Sequence, residues 1–251
     1  MPLTRLFKYI EIHYIGTNML YGIIGAMPEE VESLTSIMKD KEEFSFNNKV
    51  FYKGTIENKN VVVTCSGIGK VAAAIATTIL INRFECDTVI NTGIGGGLKK
   101  NIKTLDLVIS DGAVYHDVDV TAFNYKIGQL PGHEQIIPTD KKLKDTAVEI
   151  ANEMAKNDNF TVYSGLVATG DQFVAGKEIR ENIDKNFPEA YVTEMEGCAI
   201  AQVCHTFNIP CLIIRSISDN ANGEAAISFD EMLPLSVKRS QEITCKLLQK
   251  L

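Results

Sequence analysis

Three acids in this chain stand where the backbone pattern changes, and a carboxylate at such a junction can give, take or hold a proton. Glu30 follows Gly25-Ala26-Met27-Pro28 at a strand-to-helix junction. Glu196 ends Glu194-Met195-Glu196 and opens a helix, and Asp219 closes Arg215-Ser216-Ile217-Ser218 behind the apolar run Cys211-Leu212-Ile213-Ile214. Each has a structural explanation taken alone. Proline suits the first turn of a helix and glutamates suit its dipole, which accounts for Glu29 and Glu30 without chemistry. A carboxylate at the start of a helix is expected to stay ionised, which a bidentate acceptor for two sugar hydroxyls requires of Glu196. An aspartate after a buried strand is commonly a cap or turn former. Arg215 is harder to explain by structure, because a guanidinium within an apolar layer calls for a paired anion or a polar site.

Two glycine-rich segments, Ser66-Gly67-Ile68-Gly69-Lys70 and Gly93-Ile94-Gly95-Gly96-Gly97, invite a nucleotide-phosphate reading. Both fail its tests. A Walker A loop needs glycine where Thr64 stands and Ser or Thr where Val71 stands, and a G-x-G-x-x-G from Gly93 meets Leu98 at its last position. What remains is backbone drawn close to a small ligand at the carboxyl ends of strands, or tight-turn packing. The four histidines show no metal spacing, so neither a metal nor a cofactor is expected. The six cysteines lack C-x-x-C pairing and read as small buried hydrophobes in a reducing compartment.

Around these residues the chain has ordinary globular composition, with 251 residues and net charge −7. That balance disfavours nucleic acid and anionic membrane surfaces as partners. Charged residues interrupt the first eighteen positions and no apolar run reaches about 20 residues, so secretion and membrane spanning are disfavoured. Residues 1–18 read as an accessory helix or a misassigned start before Met19, and 19–251 as one domain.

Periodicity places strands near 20–25, 49–56, 60–66, 88–92, 105–110, 160–169, 190–194 and 210–217. Helices are expected near 28–39, 68–84, 139–157, 176–185, 196–207 and 228–249. The helix over 68–84 carries Ile68, Val71, Ile75, Ile79 and Leu80 along one face, and the last opens on an S-x-x-E capping box at Ser228–Glu231. The alternation predicts an α/β fold: three layers, with a central mixed, largely parallel twisted sheet flanked by helices. Residues 115–138 form the longest stretch without clear periodicity, a length that points to function or an interface.

In order along the chain, several segments resemble those of the bacterial 5′-methylthioadenosine/S-adenosylhomocysteine nucleosidases, of the nucleoside phosphorylase fold. They are Gly22–Met27 with Glu29-Glu30-Val31, Ser66–Val71, Asn91-Thr92-Gly93, Asp119–Phe123, Gly128–Gly132, Gly170–Phe173, Glu194–Glu196 and Arg215–Asp219. The resemblance runs from Met19 to the C-terminus and implies a cytoplasmic hydrolase that cuts adenine from these nucleosides, and from 5′-deoxyadenosine, in methionine salvage. Breaking an N-glycosidic bond leaves positive charge on the ribose and negative charge on the base. The resemblance implies that Asp219 protonates N7 of adenine, for which burial would raise its pKa. It gives Glu196 the 2′- and 3′-hydroxyls, and Glu30 the attacking water, with Arg215 fixing the geometry. Phe173 would stack on adenine while backbone at Phe173 and Val174 reads its edge. Met27, Ile68, Met195 and Phe229 would form apolar walls, and Ser218, Ile94 and Gly95 complete the binding set. Val120, Phe123 and Pro131 would reach the neighbouring subunit's 5′ pocket, implying a homodimer.

One departure stands out: Ile94-Gly95 occupy the places where the family often has Ser-Ala, so no serine hydroxyl serves there. Three other readings stay open. A phosphorolytic enzyme of the same fold would need Arg or His donors near the glycine segments, where only Lys70, Lys99 and Lys100 stand beside the repelling Glu30. An aminodeoxyfutalosine nucleosidase would use the same acids with a different 5′ pocket. A non-catalytic nucleoside-binding protein would keep the fold without the chemistry.

Overall fold

A computed structural model of the chain describes residues 19–219 and 225–251, with backbone alone for 225–230. Residues 1–18 and the side chains of Ser228 and Phe229 therefore lie outside the described residues; the last helix is already formed at Ala225, so Ser228 stands inside it and not at the N-cap position expected of a capping box. In chain order the elements are β1 (Leu20–Gly25), α1 (Pro28–Ile37), β2 (Lys39–Phe46), β3 (Lys49–Ile56), β4 (Lys59–Cys65), α2 (Lys70–Phe84) and β5 (Thr88–Gly97). There follow β6 (Leu107–Tyr115), a 3₁₀ turn at Thr121–Phe123, β7 (Ile137–Pro138), α3 (Lys141–Ala155), β8 (Val162–Thr169) and α4 (Lys177–Asn186). The chain continues through β9 (Ala190–Glu194), α5 (Gly197–Phe207), β10 (Cys211–Asp219) and α6 (Ala225–Lys250).

The strands make one mixed sheet between helical layers, as the alternation predicts. β1 runs parallel to β4 and β5, β10 parallel to β5, and β8 parallel to β6 and β9. The sheet does not stay open. β10 pairs with both β5 and β6, so β5, β9, β8, β6 and β10 close into a ring, and β1, β4, β3 and β2 extend from β5. Alternation along the strands divides the core. Val89 and Ile213 face Ala73, Leu80 and Cys204 of α2 and α5, while Ile90, Leu212 and Ile214 face Leu34, Ala147, Ile243 and Leu247 of α1, α3 and α6.

Several elements differ from the sequence reading, among them β6, which runs on to Tyr115 instead of ending at residue 110, and the unexpected β7. β2 (KDKEEFSF) was expected as the end of α1 and a loop; its charged residues conceal an exposed edge strand. Phe44 and Phe46 anchor it, each edge-on to Phe84 at 5.4 and 5.9 Å between ring centroids. β5 continues through Gly93–Gly97 instead of ending at residue 92, so the glycine run is strand and not a loop. In α2 the face that enters the core is Ala73, Ala76, Thr77 and Leu80. Of the expected stripe, Leu80 belongs to that face and Ile79 packs against the core, whereas Ile68, Val71 and Ile75 are 60%, 72% and 47% exposed.

Ile214 is fully buried at the junction of β5, β6 and β10. Ile214→Ala should lower unfolding free energy by about 2–5 kcal/mol, read from urea denaturation. An unchanged midpoint would contradict the packing described.

Candidate active site

A cleft of about 600 Å³ opens at the carboxyl ends of β1, β5 and β10. Six chain segments line it. The β1–α1 turn brings Met27 and Glu30; the loop before α2 brings Ile68; β5 brings Ile94 and Gly95. The β8–α4 loop brings Phe173 and Val174, the β9–α5 turn Met195 and Glu196, and the end of β10 Ser218 and Asp219. All three acids singled out by sequence converge here, and Gln172, Thr193 and Glu194 join them.

Glu30 is third in α1 and folds back over the helix start. Its Oε2 accepts from the N–H groups of Ala26 at 2.6 Å and Met27 at 3.0 Å, the reach of a capping-box glutamate. Its Oε1 accepts from Ile94 N–H at 3.1 Å. The capping explanation and the site explanation therefore describe the same carboxylate. Room for it comes from β5: a Cβ on Gly93 would stand 2.6 Å from Glu30 Oε1. Burial raises the Glu30 pKa, opposed by the charge of Arg215 and the three N–H groups.

Asp219 reaches the cleft through a register shift. β10 pairs Ile217 with Gly95 and Asp219 with Gly96, leaving Ser218 as the extra residue. Strict alternation would put Asp219 on the face of Arg215 and Ile217. The bulge turns it to the opposite face, above a Gly96 that has no side chain to obstruct it. Ser218 Oγ donates to Asp219 Oδ2 at 2.8 Å.

Arg215 does not line the cleft. It is 2% exposed, and its Nη2 donates to Glu194 Oε2 and to Asn91 Oδ1, each at 2.5 Å. The anion that the sequence demanded for this guanidinium is therefore Glu194; Arg215 influences Glu30 through charge. Glu194 in turn accepts from the N–H groups of Glu196 at 3.1 Å and Gly197 at 2.7 Å, and from the Thr169 hydroxyl. Those two N–H groups are the N-cap and first amides of α5; the amide of Cys198, which an N-cap side chain would ordinarily take, goes to Thr169 Oγ1 at 2.9 Å, so the N-cap Glu196 makes no capping bond. Sequence reading overlooked Glu194, although an acid two residues before a helix opening and a lone arginine in a neighbouring strand were both visible.

Glu196, released from capping, points to the cleft and accepts from Gly69 N–H at 2.7 Å. Its pKa is pushed up to about 8, by burial first and the charge of Glu194 second. The ionised state expected from the helix dipole is thus not the one burial favours. The remaining expected residues lie elsewhere. Phe123 is 73% exposed, Pro131 is exposed, Val120 is half-buried, and none of the three lines the cleft.

A mixed sheet closed around β5 with acids at its carboxyl end defines a class. The chain belongs to the phosphorylase superfamily, whose sequence profile matches residues 20–249. Within it the chain stands among the 5′-methylthioadenosine/S-adenosylhomocysteine nucleosidases. It is 46% identical over 233 residues, 93% of this chain and 100% of the relative, to that nucleosidase of Haemophilus influenzae (strain PittEE). The Neisseria meningitidis nucleosidase in complex with methylthio-immucillin-A superposes with a TM-score of 0.89 at 40% identity, over 92% of this chain and 99% of that one. The futalosine hydrolase of Helicobacter pylori strain 26695 superposes with a TM-score of 0.86 at 38% identity, over 93% and 98%.

The protonation of Glu196 has a consequence for stability. An unfolded glutamate titrates near 4.5, so between about 4.5 and 8 the folded chain holds a proton that the unfolded chain has released. Stability therefore falls as pH rises through that window. Glu196→Gln should remove this part of the slope, gaining stability over the parent at pH 8 and little at pH 5. Parallel stability–pH curves for parent and variant in urea denaturation would rule it out.

Proposed function

We propose that the chain hydrolyses the N-glycosidic bond of 5′-methylthioadenosine and S-adenosylhomocysteine, giving adenine and the 5-thioribose product. The observation that carries this reading is the meeting of Glu30, Glu196 and Asp219 in one cleft lined by no Arg, Lys or His among the described residues.

Each carboxylate has a distinct surrounding and a distinct task. Asp219 supplies a proton toward N7, so that adenine leaves as a neutral base. Glu196 accepts from the 2′- and 3′-hydroxyls. Its ionised form is the active one, and that negative charge favours the positively charged sugar as the bond breaks. Glu30 orients and deprotonates the attacking water, and its raised pKa moves it toward neutrality, where a general base works best. Phe173, 48% exposed at the mouth, stacks on the purine, with backbone at Phe173 and Val174 along its edge. Met27, Ile68, Met195 and Ile94 supply apolar walls, and Ser218 orients Asp219. Phe229 belongs to the same set, although its side chain is outside the described residues.

Charge favours water over phosphate as the nucleophile. Lys70 is paired with Asp117, Lys99 donates to the Pro188 carbonyl, and Arg215 is held by Glu194. An anion entering beside Glu30 would meet repulsion, and no unpaired cation lines the cleft among the described residues to offset it.

The proposal extends to a cytoplasmic homodimer with residues 19–251 as the nucleosidase domain. The exposed apolar face of α2, with Val71, continues into a groove bounded by Tyr115, Val118, Leu130 and Phe207. Exposed apolar side chains on α2 that continue into a groove suit cover by a second subunit. A second subunit on this face would receive Val120, Phe123 and Pro131 near its own 5′ pocket. The six free cysteines suit a reducing compartment, and no helix among the described residues is long and apolar enough to cross a membrane.

Incubation with methylthioadenosine, S-adenosylhomocysteine or aminodeoxyfutalosine, with and without phosphate, tests the reaction. Free thioribose independent of phosphate is expected; ribose-1-phosphate products would sink the hydrolytic reading, and turnover of aminodeoxyfutalosine alone would favour the futalosine-type substrate. Glu30→Gln and Asp219→Asn should each lower kcat by about 10²–10⁴ while substrate binding stays within a few-fold. Unchanged adenine release in either variant would refute the assigned roles, and no adenine from the parent would point to a binding protein. Val71→Glu should convert the dimer to monomer in gel filtration with light scattering; a parent that elutes as a monomer would exclude the dimer.

A further inference from the structure

Two loops that wall the cleft, and the start of a third, are tied together by an ion cluster just outside it. Lys70, the first residue of α2, places Nζ 2.6 Å from Asp117 Oδ2 and 3.7 Å from Asp171 Oδ2. The backbone N–H of Lys70 donates to Asp171 Oδ1 at 2.8 Å, and the N–H of Asp171 donates to Asp117 Oδ2 at 2.9 Å. One residue earlier, Gly69 N–H donates to Glu196 Oε1 at 2.7 Å. Consecutive amides at the start of α2 therefore go to two different carboxylates, one in the cleft and one in the cluster.

The turn between those amides has little freedom. Gly69 has φ +96°, and a Cβ there would stand 3.0 Å from Asp171 Oδ1. Only glycine accepts this conformation readily, and any side chain would require the close Asp171 carboxylate to give way. Fixing Asp171 thus fixes the direction of the Gly69 N–H. The same clasp reaches the rest of the cleft through chain continuity. Ile68 precedes Gly69, Phe173 follows Asp171 by two residues, and Asp117 opens the stretch toward Val120 and Phe123.

We propose that Asp171, held by Lys70 and Asp117, is a positioning residue for Glu196: it anchors the first turn of α2 so that Gly69 N–H stays on the Glu196 carboxylate. The inference rests on the reading of Glu196 as the acceptor of the ribose hydroxyls. Exposed ion pairs contribute little by themselves. The effective part is the amide-to-carboxylate bond at the helix start, where dipole and charge act together. Lys70 serves by neutralising Asp117 and Asp171, which would otherwise repel each other and open the turn.

The charged groups acting on Glu196 are Glu194, Glu30 and Arg215, and Gly69 N–H is the hydrogen bond that favours its ionised form. Substitution at Asp171 leaves those charges in place and removes the anchor of that bond. Glutamate-¹³C NMR titration, with the Glu196 signal assigned by its loss in Glu196→Gln, reads the effect without any turnover. In Asp171→Ala the Glu196 titration should move up by about one pH unit, and the acid limb of kcat/KM should shift with it. Near neutral pH kcat/KM should fall about tenfold. Asp171→Asn, which keeps an oxygen for the Lys70 N–H, should recover most of both. A folded Asp171→Ala with an unmoved Glu196 titration overturns the proposal. Should that variant not fold, Asp171→Leu, which keeps a branched side chain but has no oxygen to accept from the Lys70 N–H, takes its place in the same measurement, and an unmoved titration there is equally decisive. Absence of adenine release by the parent would remove the nucleosidase reading instead, and the titration would still decide the clasp.

Discussion

Four carboxylates, Glu30, Glu194, Glu196 and Asp219, line one cleft, and the guanidinium buried beside them is that of Arg215. Taking a charge out of water is costly unless it is paired and hydrogen-bonded. The arrangement answers this by giving the cation to the acid that also secures the start of α5. Glu194 takes Arg215 directly, together with two amides of α5 and the Thr169 hydroxyl. That leaves Glu196 at the helix start without a capping duty and leaves Glu30 to be held by three backbone amides. Removing one member would strand the other as an unpaired buried charge. The pair thus sets where α5 begins and how far the pKa values of Glu30 and Glu196 rise.

The second constraint is steric and belongs to β5. A fully buried strand at the centre of a closed sheet normally fills its faces with branched side chains. Beyond Thr92 this one does the opposite. Side chains at Gly93 and Gly95 would collide with Glu30 and with Val192 and the Thr193 carbonyl, and one at Gly97 with Ile102. Glycine is unfavourable in a strand interior, so this run exchanges strand stability for close approach by acids from neighbouring elements. The bulge at Ser218 completes the exchange from the other side by turning Asp219 to the bare face.

Much of this was legible in the sequence where the physics is local. Apolar alternation and turn signals located β1, β3, β4, α3 and α5 closely, and the acids at junctions pointed to a shared site. What escaped depended on partners distant in sequence. β2 reads as a polar segment because only Phe44 and Phe46 face inward, toward Phe84 on α2. Gly93–Gly97 reads as a loop because strand propensity measures side-chain packing, and here the side chains come from other elements. The stripe of α2 through Val71 and Ile75 has the right period for a core face, yet the core takes the alanines, since periodicity identifies an apolar face without saying what covers it. Arg215 announced a buried anion, but Glu194 could not be told from Glu196 or Glu30 until the strands were brought together.

Position Ile94 shows how backbone and side chain divide the work in such a site. Its N–H holds Glu30 while its side chain, 6% exposed, fills the β5 wall. The amide needs only the strand geometry that Gly93 permits, so a serine here in place of isoleucine would leave the hold on Glu30 intact. What changes is the polarity of the wall next to the water that Glu30 would orient. A hydroxyl there would share that water; isoleucine leaves it to the Glu30 carboxylate. The dependence on Glu30 should accordingly be greater in this chain than in a relative with serine, because one fewer group holds the nucleophile in place.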